Sequence, residues 1–121
     1  MHVTVFSKHQ CRYCVDAKAL LDTKSNAVLT YIYLDDQPDY DEARLEMMRL
    51  MGLAEDAPRP TLPQIFFAKE HFPGGASALL KLEADGKLDD KLSLPSTGAF
   101  PPKPSSGTWA WKTLEVDPND F

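Results

Sequence analysis

Cys11-Arg12-Tyr13-Cys14 decides the reading of this chain, with Val3-Thr4-Val5-Phe6 before it and Val15-Asp16-Ala17-Lys18-Ala19-Leu20-Leu21 after it. These are the only two cysteines in 121 residues. The apolar run before them reads as a strand and the segment after them as a helix, so the pair sits at a strand-to-helix junction. A helix N-terminus offers N–H groups without intrahelical partners and the positive end of the helix dipole, and both stabilise a thiolate at Cys11. Cys14 follows one turn on, close enough to attack a mixed disulfide formed at Cys11. Reversible dithiol chemistry needs that arrangement.

The rest of the composition fits a folded domain built around this site. Hydrophobic residues make up 43% of the chain and aromatics 10%, and 121 residues suffice for one modest core. No run of 18 apolar residues predicts a membrane span. Lys8 and His9 interrupt the N-terminal apolar run too early for a signal peptide, which leads us to expect a cytoplasmic location. In that setting a close cysteine pair points to catalysis or metal binding rather than a structural staple. The net charge of −5 argues against nucleic acid as a partner. The charge is uneven: residues 1–24 carry a net +2, and residues 35–56 carry eight anions against two cations. A locally cationic cysteine site suits a small anionic substrate. A solvated surface with uneven charge would give the same imbalance.

Outward from the cysteines, residues 2–6 are predicted as a buried strand. Residues 11–24 are predicted as a helix with Val15, Ala17, Leu20 and Leu21 on its apolar side. Leu29-Thr30-Tyr31-Ile32-Tyr33-Leu34 reads as a second strand. Asp39 stands three residues before Glu42, a capping-box signal for a helix over about 40–51, which Gly52 would stop. Its core face is predicted as Ala43, Met47 and Leu50, broadened by Met48 and Met51. A proline-rich loop ends at Pro63. Gln64-Ile65-Phe66-Phe67 and Glu70-His71-Phe72 read as strands joined by a tight turn and therefore antiparallel. Gly74-Gly75 opens a last helix carrying Leu79, Leu80 and Leu82. A right-handed βαβ unit followed by this hairpin gives an α/β fold, a small mixed sheet with helices on both faces. Residues 95–108 contain four prolines and read as an extended connector. Beyond it, Trp109 and Trp111 lead us to expect that the segment packs back on the domain or docks on a partner.

Three motifs in this order resemble the glutaredoxins, a branch of the thioredoxin-fold superfamily, over roughly residues 2–88. The first runs from Phe6 through Lys8 to Cys11-Arg12-Tyr13-Cys14, where the family usually has Cys-Pro-Tyr-Cys. The second is Thr61-Leu62-Pro63, similar to the family's Thr-Val-Pro with its cis proline. The third is Gly74-Gly75-Ala76-Ser77, similar to the family's Gly-Gly-Cys-Ser or Gly-Gly-Cys-Asp turn. The resemblance implies a thioredoxin-like four-stranded mixed sheet flanked by three or more helices, with residues 1–94 as the domain and 95–121 as an extension without family counterpart.

It also implies a glutathione-dependent thiol–disulfide oxidoreductase, with glutathione as co-substrate and no tightly bound cofactor. Cys11 would be the nucleophile and Cys14 the resolving thiol. Lys8 would neutralise the glycyl carboxylate of glutathione, with Arg44 assisting unless it forms a surface ion pair instead. Leu62, ahead of a cis Pro63, would present its amide and carbonyl to the substrate. Ser77 and the amides near Gly75 and Ala76 would hold the γ-glutamyl carboxylate at a helix N-terminus. Tyr13 would flank the thiols, and Arg12 would add positive charge beside them. Implied partners are disulfide-containing or glutathionylated proteins, ribonucleotide reductase among them by family analogy, acting on a monomer.

Departures from the family pattern keep other readings open. Arg12 replaces the usual proline, removing a restraint that discourages a bridging iron–sulfur cluster. Ala76 replaces a frequent third cysteine, Ala78 replaces a common acidic residue, and the loop at 53–60 is longer than usual. A thioredoxin-like electron donor reduced by thioredoxin reductase is the second enzymatic reading, against which Lys8 and the Gly74–Ser77 turn argue. A glutathione-ligated cluster module is the third. One Cys-x-x-Cys supplies two of the four ligands of a structural zinc site, and no second close pair exists, so no metal set is assigned.

Overall fold

A computed structural model describes residues 1–94 of the chain. The expected connector and the Trp109–Trp111 segment lie outside the described residues. In chain order the elements are β1 (His2–Ser7), α1 (Arg12–Leu21), β2 (Val28–Tyr33), a 3-10 turn (Leu34–Asp36), α2 (Tyr40–Leu50), β3 (Gln64–Phe67), β4 (Glu70–Phe72), α3 (Gly75–Ala84) and α4 (Leu88–Leu92). The four strands form one mixed sheet in the order β2-β1-β3-β4. β2 runs parallel to β1, with His2 opposite Val28 and Ser7 opposite Tyr33. β3 runs antiparallel to β1, and β4 antiparallel to β3. Among the described residues no helix is long and apolar enough to cross a membrane.

The period-two alternation of the strands sorts side chains to two cores. Val3 and Val5 of β1, with Tyr31, Ile65 and Phe67, pack against Ala17 and Leu21 of α1, Leu79 of α3, and Leu88 and Leu92 of α4. On the opposite face Phe6, Ile32 and Phe66 pack against Ala43 and Met47 of α2. The Phe6 and Phe66 rings meet edge to face at 5.6 Å between centroids, a favoured aromatic geometry. β1 is therefore sandwiched between two helical layers, and its C-terminal end delivers the cysteine segment between them.

Several local expectations are corrected. α1 spans residues 12–21, not 11–24. It ends where Asp22 caps it and the Thr23 hydroxyl donates to the Leu20 carbonyl at 2.6 Å. Its buried stripe is Cys14, Ala17 and Leu21, whereas Val15 is exposed. Val15 shares a helical stripe with Lys18 and Asp22, which pair with each other in the solvent-facing layer. Leu34 leaves the predicted second strand to begin the 3-10 turn. α2 starts as its cap predicts, with the Asp39 carboxylate accepting the Glu42 N–H at 3.1 Å. Its buried face also takes in Glu46, which pairs with Arg49. Leu80 of α3 is exposed. α4 was not expected, because five residues hold too little periodicity to read. Leu88 and Leu92 make it a core element, and Lys24 ties it down by bridging Glu83 at 2.8 Å and Asp89 at 3.1 Å.

Candidate functional site

The Cys11 backbone is extended (φ −118°), and its side chain caps α1: Sγ accepts the Cys14 N–H at 3.3 Å. A sulfur in that place faces the open donors of the first helical turn, where negative charge is favoured. The Cys11 thiol also donates to the Leu62 carbonyl at 3.8 Å. Both cysteines are reduced and buried, and they differ in what they face. Cys11 lines a cavity of about 580 Å³, and Cys14 is not part of its lining. Burial, reinforced by the hydrogen bond with Cys11, pushes the Cys14 thiol up to about 11. The pair is thus asymmetric, with a helix-capping sulfur at the cavity wall and a protonated thiol behind it.

The loop from Lys8 to Gln10 that carries Cys11 is fastened from the side. The His9 amide donates to the Asp35 carboxylate at 3.0 Å, and His9 Nε2 lies 2.9 Å from Asp36 Oδ2. The His9 ring stacks on Tyr33 at 4.3 Å. The bond to Asp36 raises the His9 pKa above its ordinary value. Gln10 then takes a left-handed φ of 57°, turning the chain into α1. Nothing local in the sequence announces this clamp, because His9 and its carboxylate partners stand 26 and 27 positions apart.

Three loop segments and the start of α2 close the cavity. The first brings Lys8, Arg12 and Tyr13 beside Cys11. Among the described residues no carboxylate engages the Lys8 ammonium. Arg12 reaches Asp16 only at 3.9 Å with most of its side chain in solvent, an exposed pairing of little strength. The second segment brings Thr61, Leu62 and Pro63, with the Leu62–Pro63 peptide in the cis form. The third is the turn into α3, where Gly75, Ala76 and Ser77 line the cavity. Gly74 caps that helix with φ +100° and no side chain, leaving the first-turn N–H groups open. Gly75, at φ +62°, packs so close to the second segment that a Cβ there would sit 3.3 Å from the Pro63 carbonyl.

Of the residues proposed from sequence, only Arg44 and Cys14 fall outside the cavity wall. Arg44 is turned along its own helix, with Nη1 3.4 Å from Met48 Sδ and Nη2 4.0 Å from the Asp41 carboxylate. This placement matches the ion-pair alternative for Arg44, through a long contact to Asp41. The residue of α2 that does reach the cavity is Tyr40, joined there by Gln10 and Pro60. Sequence reasoning missed all three. The Asp39 cap places the start of α2, but no sequence signal tells which first-turn side chain is aimed at a cavity built by other segments.

The glutaredoxin family model matches residues 3–72 of the chain. Glutaredoxin 1 of Rickettsia felis is 31% identical over 103 residues, which span 80% of this chain and 92% of that relative. Glutaredoxin 3 of Escherichia coli strain K12 is 36% identical over 93 residues, spanning 75% of this chain and 96% of that one. Among solved structures, a buckwheat glutaredoxin–glutathione complex is similar with a TM-score of 0.60 at 32% identity, covering 75% of this chain and 76% of the other.

Proposed function

The chain belongs to the glutaredoxin family and is a glutathione-dependent thiol–disulfide oxidoreductase, and on that premise we propose that it reduces protein disulfides and glutathione mixed disulfides through Cys11 as nucleophile. The observation that carries the assignment of roles is the asymmetry of the pair. Cys11 caps α1 at the wall of the cavity, and Cys14 is buried and held as a thiol.

On a glutathionylated protein, the Cys11 thiolate attacks the glutathione sulfur. A Cys11–glutathione disulfide forms, the protein–glutathione bond breaks, and the protein thiolate leaves and takes a proton from water. A second glutathione thiolate then attacks the glutathione sulfur on Cys11, releasing oxidised glutathione and the Cys11 thiolate. On a protein disulfide, Cys11 forms the mixed disulfide with the client. Cys14 gives up its proton and attacks Cys11 Sγ, the client thiolate leaves, and two glutathione molecules reduce the Cys11–Cys14 disulfide in turn.

The surroundings suit that substrate. Lys8 and Arg12 offer cations to the glycyl carboxylate, and Tyr13 stands beside the thiol. Leu62, ahead of cis Pro63, offers backbone groups to an extended peptide. The open N–H groups of Gly75, Ala76 and Ser77 at the N-terminus of α3 suit the γ-glutamyl carboxylate. The buckwheat relative forms a complex with glutathione, which supports placing the tripeptide here. A coupled assay with glutathione and glutathione reductase tests the proposal on wild type, Cys11→Ser and Cys14→Ser. Activity surviving Cys11→Ser would sink it. Activity surviving in Cys14→Ser would assign glutathionylated substrates to the Cys11 route alone.

A further inference from the structure

The Thr61–Pro63 wall of the cavity ends a long loop in which Leu62 packs against the second core and Pro63 is buried. Thr61 is exposed, and among the described residues no backbone–backbone hydrogen bond ties residues 58–62. Two of its carbonyls are held, each by a side chain. The Leu62 carbonyl accepts from the Cys11 thiol at 3.8 Å, and the Thr61 carbonyl accepts from Gln64 Nε2 at 2.6 Å. The first of these bonds cannot survive the reaction. Once Cys11 loses its proton the sulfur has nothing to donate, and the Leu62 carbonyl oxygen faces an anion. The bond from Gln64 then remains as the side-chain hydrogen bond to the wall's carbonyls.

Gln64 is equipped for that. It is the first residue of β3, 7% exposed and paired in the ladder with Phe6 of the central strand. Its side chain reaches back over Leu62 and Pro63 to close the turn. Its amide orientation is fixed by a second partner, because His71 Nε2 of β4 lies 2.7 Å from Gln64 Oε1. With Nε2 of the glutamine committed to the Thr61 carbonyl, its Oε1 is an acceptor, so the imidazole N–H sits on His71 Nε2. The His71 ring is itself braced against Phe66 at 5.1 Å.

We propose that His71 and Gln64 form a positioning relay, from the edge strand through the first residue of β3 to the Thr61 carbonyl, that holds the Thr61–Leu62–Pro63 wall in its substrate-binding place while Cys11 is ionised. The inference rests on the disulfide-exchange reading of the cavity. Neither residue touches the reacting sulfur. Gln64 and His71 act on how well the peptide portion of a substrate is bound, not on the chemistry of the thiol.

The test uses the full chain with a glutathionylated peptide in the coupled assay, together with the alkylation rate of Cys11 by iodoacetamide. Gln64→Leu is expected to raise KM about tenfold, the size of one net hydrogen bond, with kcat and the alkylation rate within about twofold of wild type. Gln64→Glu, which can still accept from His71 but cannot donate to Thr61, is expected to do the same. His71→Phe is expected to raise KM about threefold alone and to add nothing to Gln64→Leu, the signature of residues acting in series. An unchanged KM in a folded Gln64→Leu protein overturns the relay. So does a parallel loss of KM, kcat and alkylation, which marks a merely structural residue, and so does an additive double variant.

An inactive wild type would instead refute the exchange reading itself. A readout that needs no turnover then decides the relay: the side-chain amide protons of Gln64 by NMR. They are expected to be protected from exchange in wild type and unprotected in His71→Phe. Equal protection in both would overturn it.

Discussion

Replacing Gly74 by alanine tests the geometry on which the cavity's third wall depends. Gly74 sits at φ +100°, and a Cβ built there would lie 2.5 Å from the Ala78 Cβ one turn along α3. Two independent costs follow. Holding an alanine in a backbone region populated almost solely by glycine costs about 1–3 kcal/mol. Forcing two methyl groups past contact distance adds roughly 1–3 kcal/mol of overpacking. Alanine also stiffens the unfolded chain, which returns about 0.4–1 kcal/mol. The net loss should be about 3 kcal/mol, which for a domain of this size lowers Tm by roughly 12–24 °C. The two costs can be separated. Ala78→Gly alone should cost about 1 kcal/mol for glycine inside a helix. In the double variant Gly74→Ala/Ala78→Gly the methyl–methyl conflict is gone, so its loss should fall short of the sum of the singles by about 1–2 kcal/mol. Urea unfolding followed by circular dichroism at constant m-value reads all four proteins. A Gly74→Ala protein within 0.5 kcal/mol of wild type, or losses that simply add, would refute the argument.

Three other outcomes are expected. Asp39→Ala removes the carboxylate that caps α2 and should cost about 1 kcal/mol, while Asp39→Ser should restore most of it; equal unfolding midpoints for the two variants would contradict the capping role. Leu79→Ala empties a fully buried position between α3 and the sheet and should cost about 2–5 kcal/mol in urea unfolding, with the smaller figure if α1 and α4 close over the gap. Two histidines should bend the pH profile of stability in opposite senses. Burial lowers the His71 pKa below 6.5, so its contribution is present above 6.5 and is lost as pH falls through the lowered value. The bond to Asp36 raises the His9 pKa above 6.5, so its contribution is present below that value and fades as pH rises through the raised one. Urea midpoints across pH 5–8 should therefore lose slope on the acid side in His71→Phe and on the neutral side in His9→Gln; coincident profiles for wild type and both variants would count against both assignments.

The sequence made legible what is encoded locally. The strand–cysteine–helix junction follows from Val3–Phe6 and the pair at 11 and 14, and the start of α2 follows from Asp39 and Glu42. The antiparallel hairpin follows from two short strand segments joined by the tight turn Ala68-Lys69. The mixed sheet was reached by the same steps. Contacts across long separations were not legible. Tyr40 reaches the cavity from α2, which packs on the sheet through Ala43 and Met47, while the other lining residues come from distant segments. The His9 clamp depends on β2 delivering Asp35 and Asp36 beside the loop. Val15 misled because apolar character was weighed over the stripe it shares with Lys18 and Asp22. The direction of Arg44 was not legible either, because its own helix neighbours, Asp41 and Met48, decide where it points.

The burial of Cys14 also bears on the order of access. Burial raises the Cys14 thiol above its ordinary value in the reduced pair, and Cys14 is absent from the cavity wall. A reagent arriving from solution therefore meets the two sulfurs in sequence, Cys11 at the wall first and Cys14 only behind it.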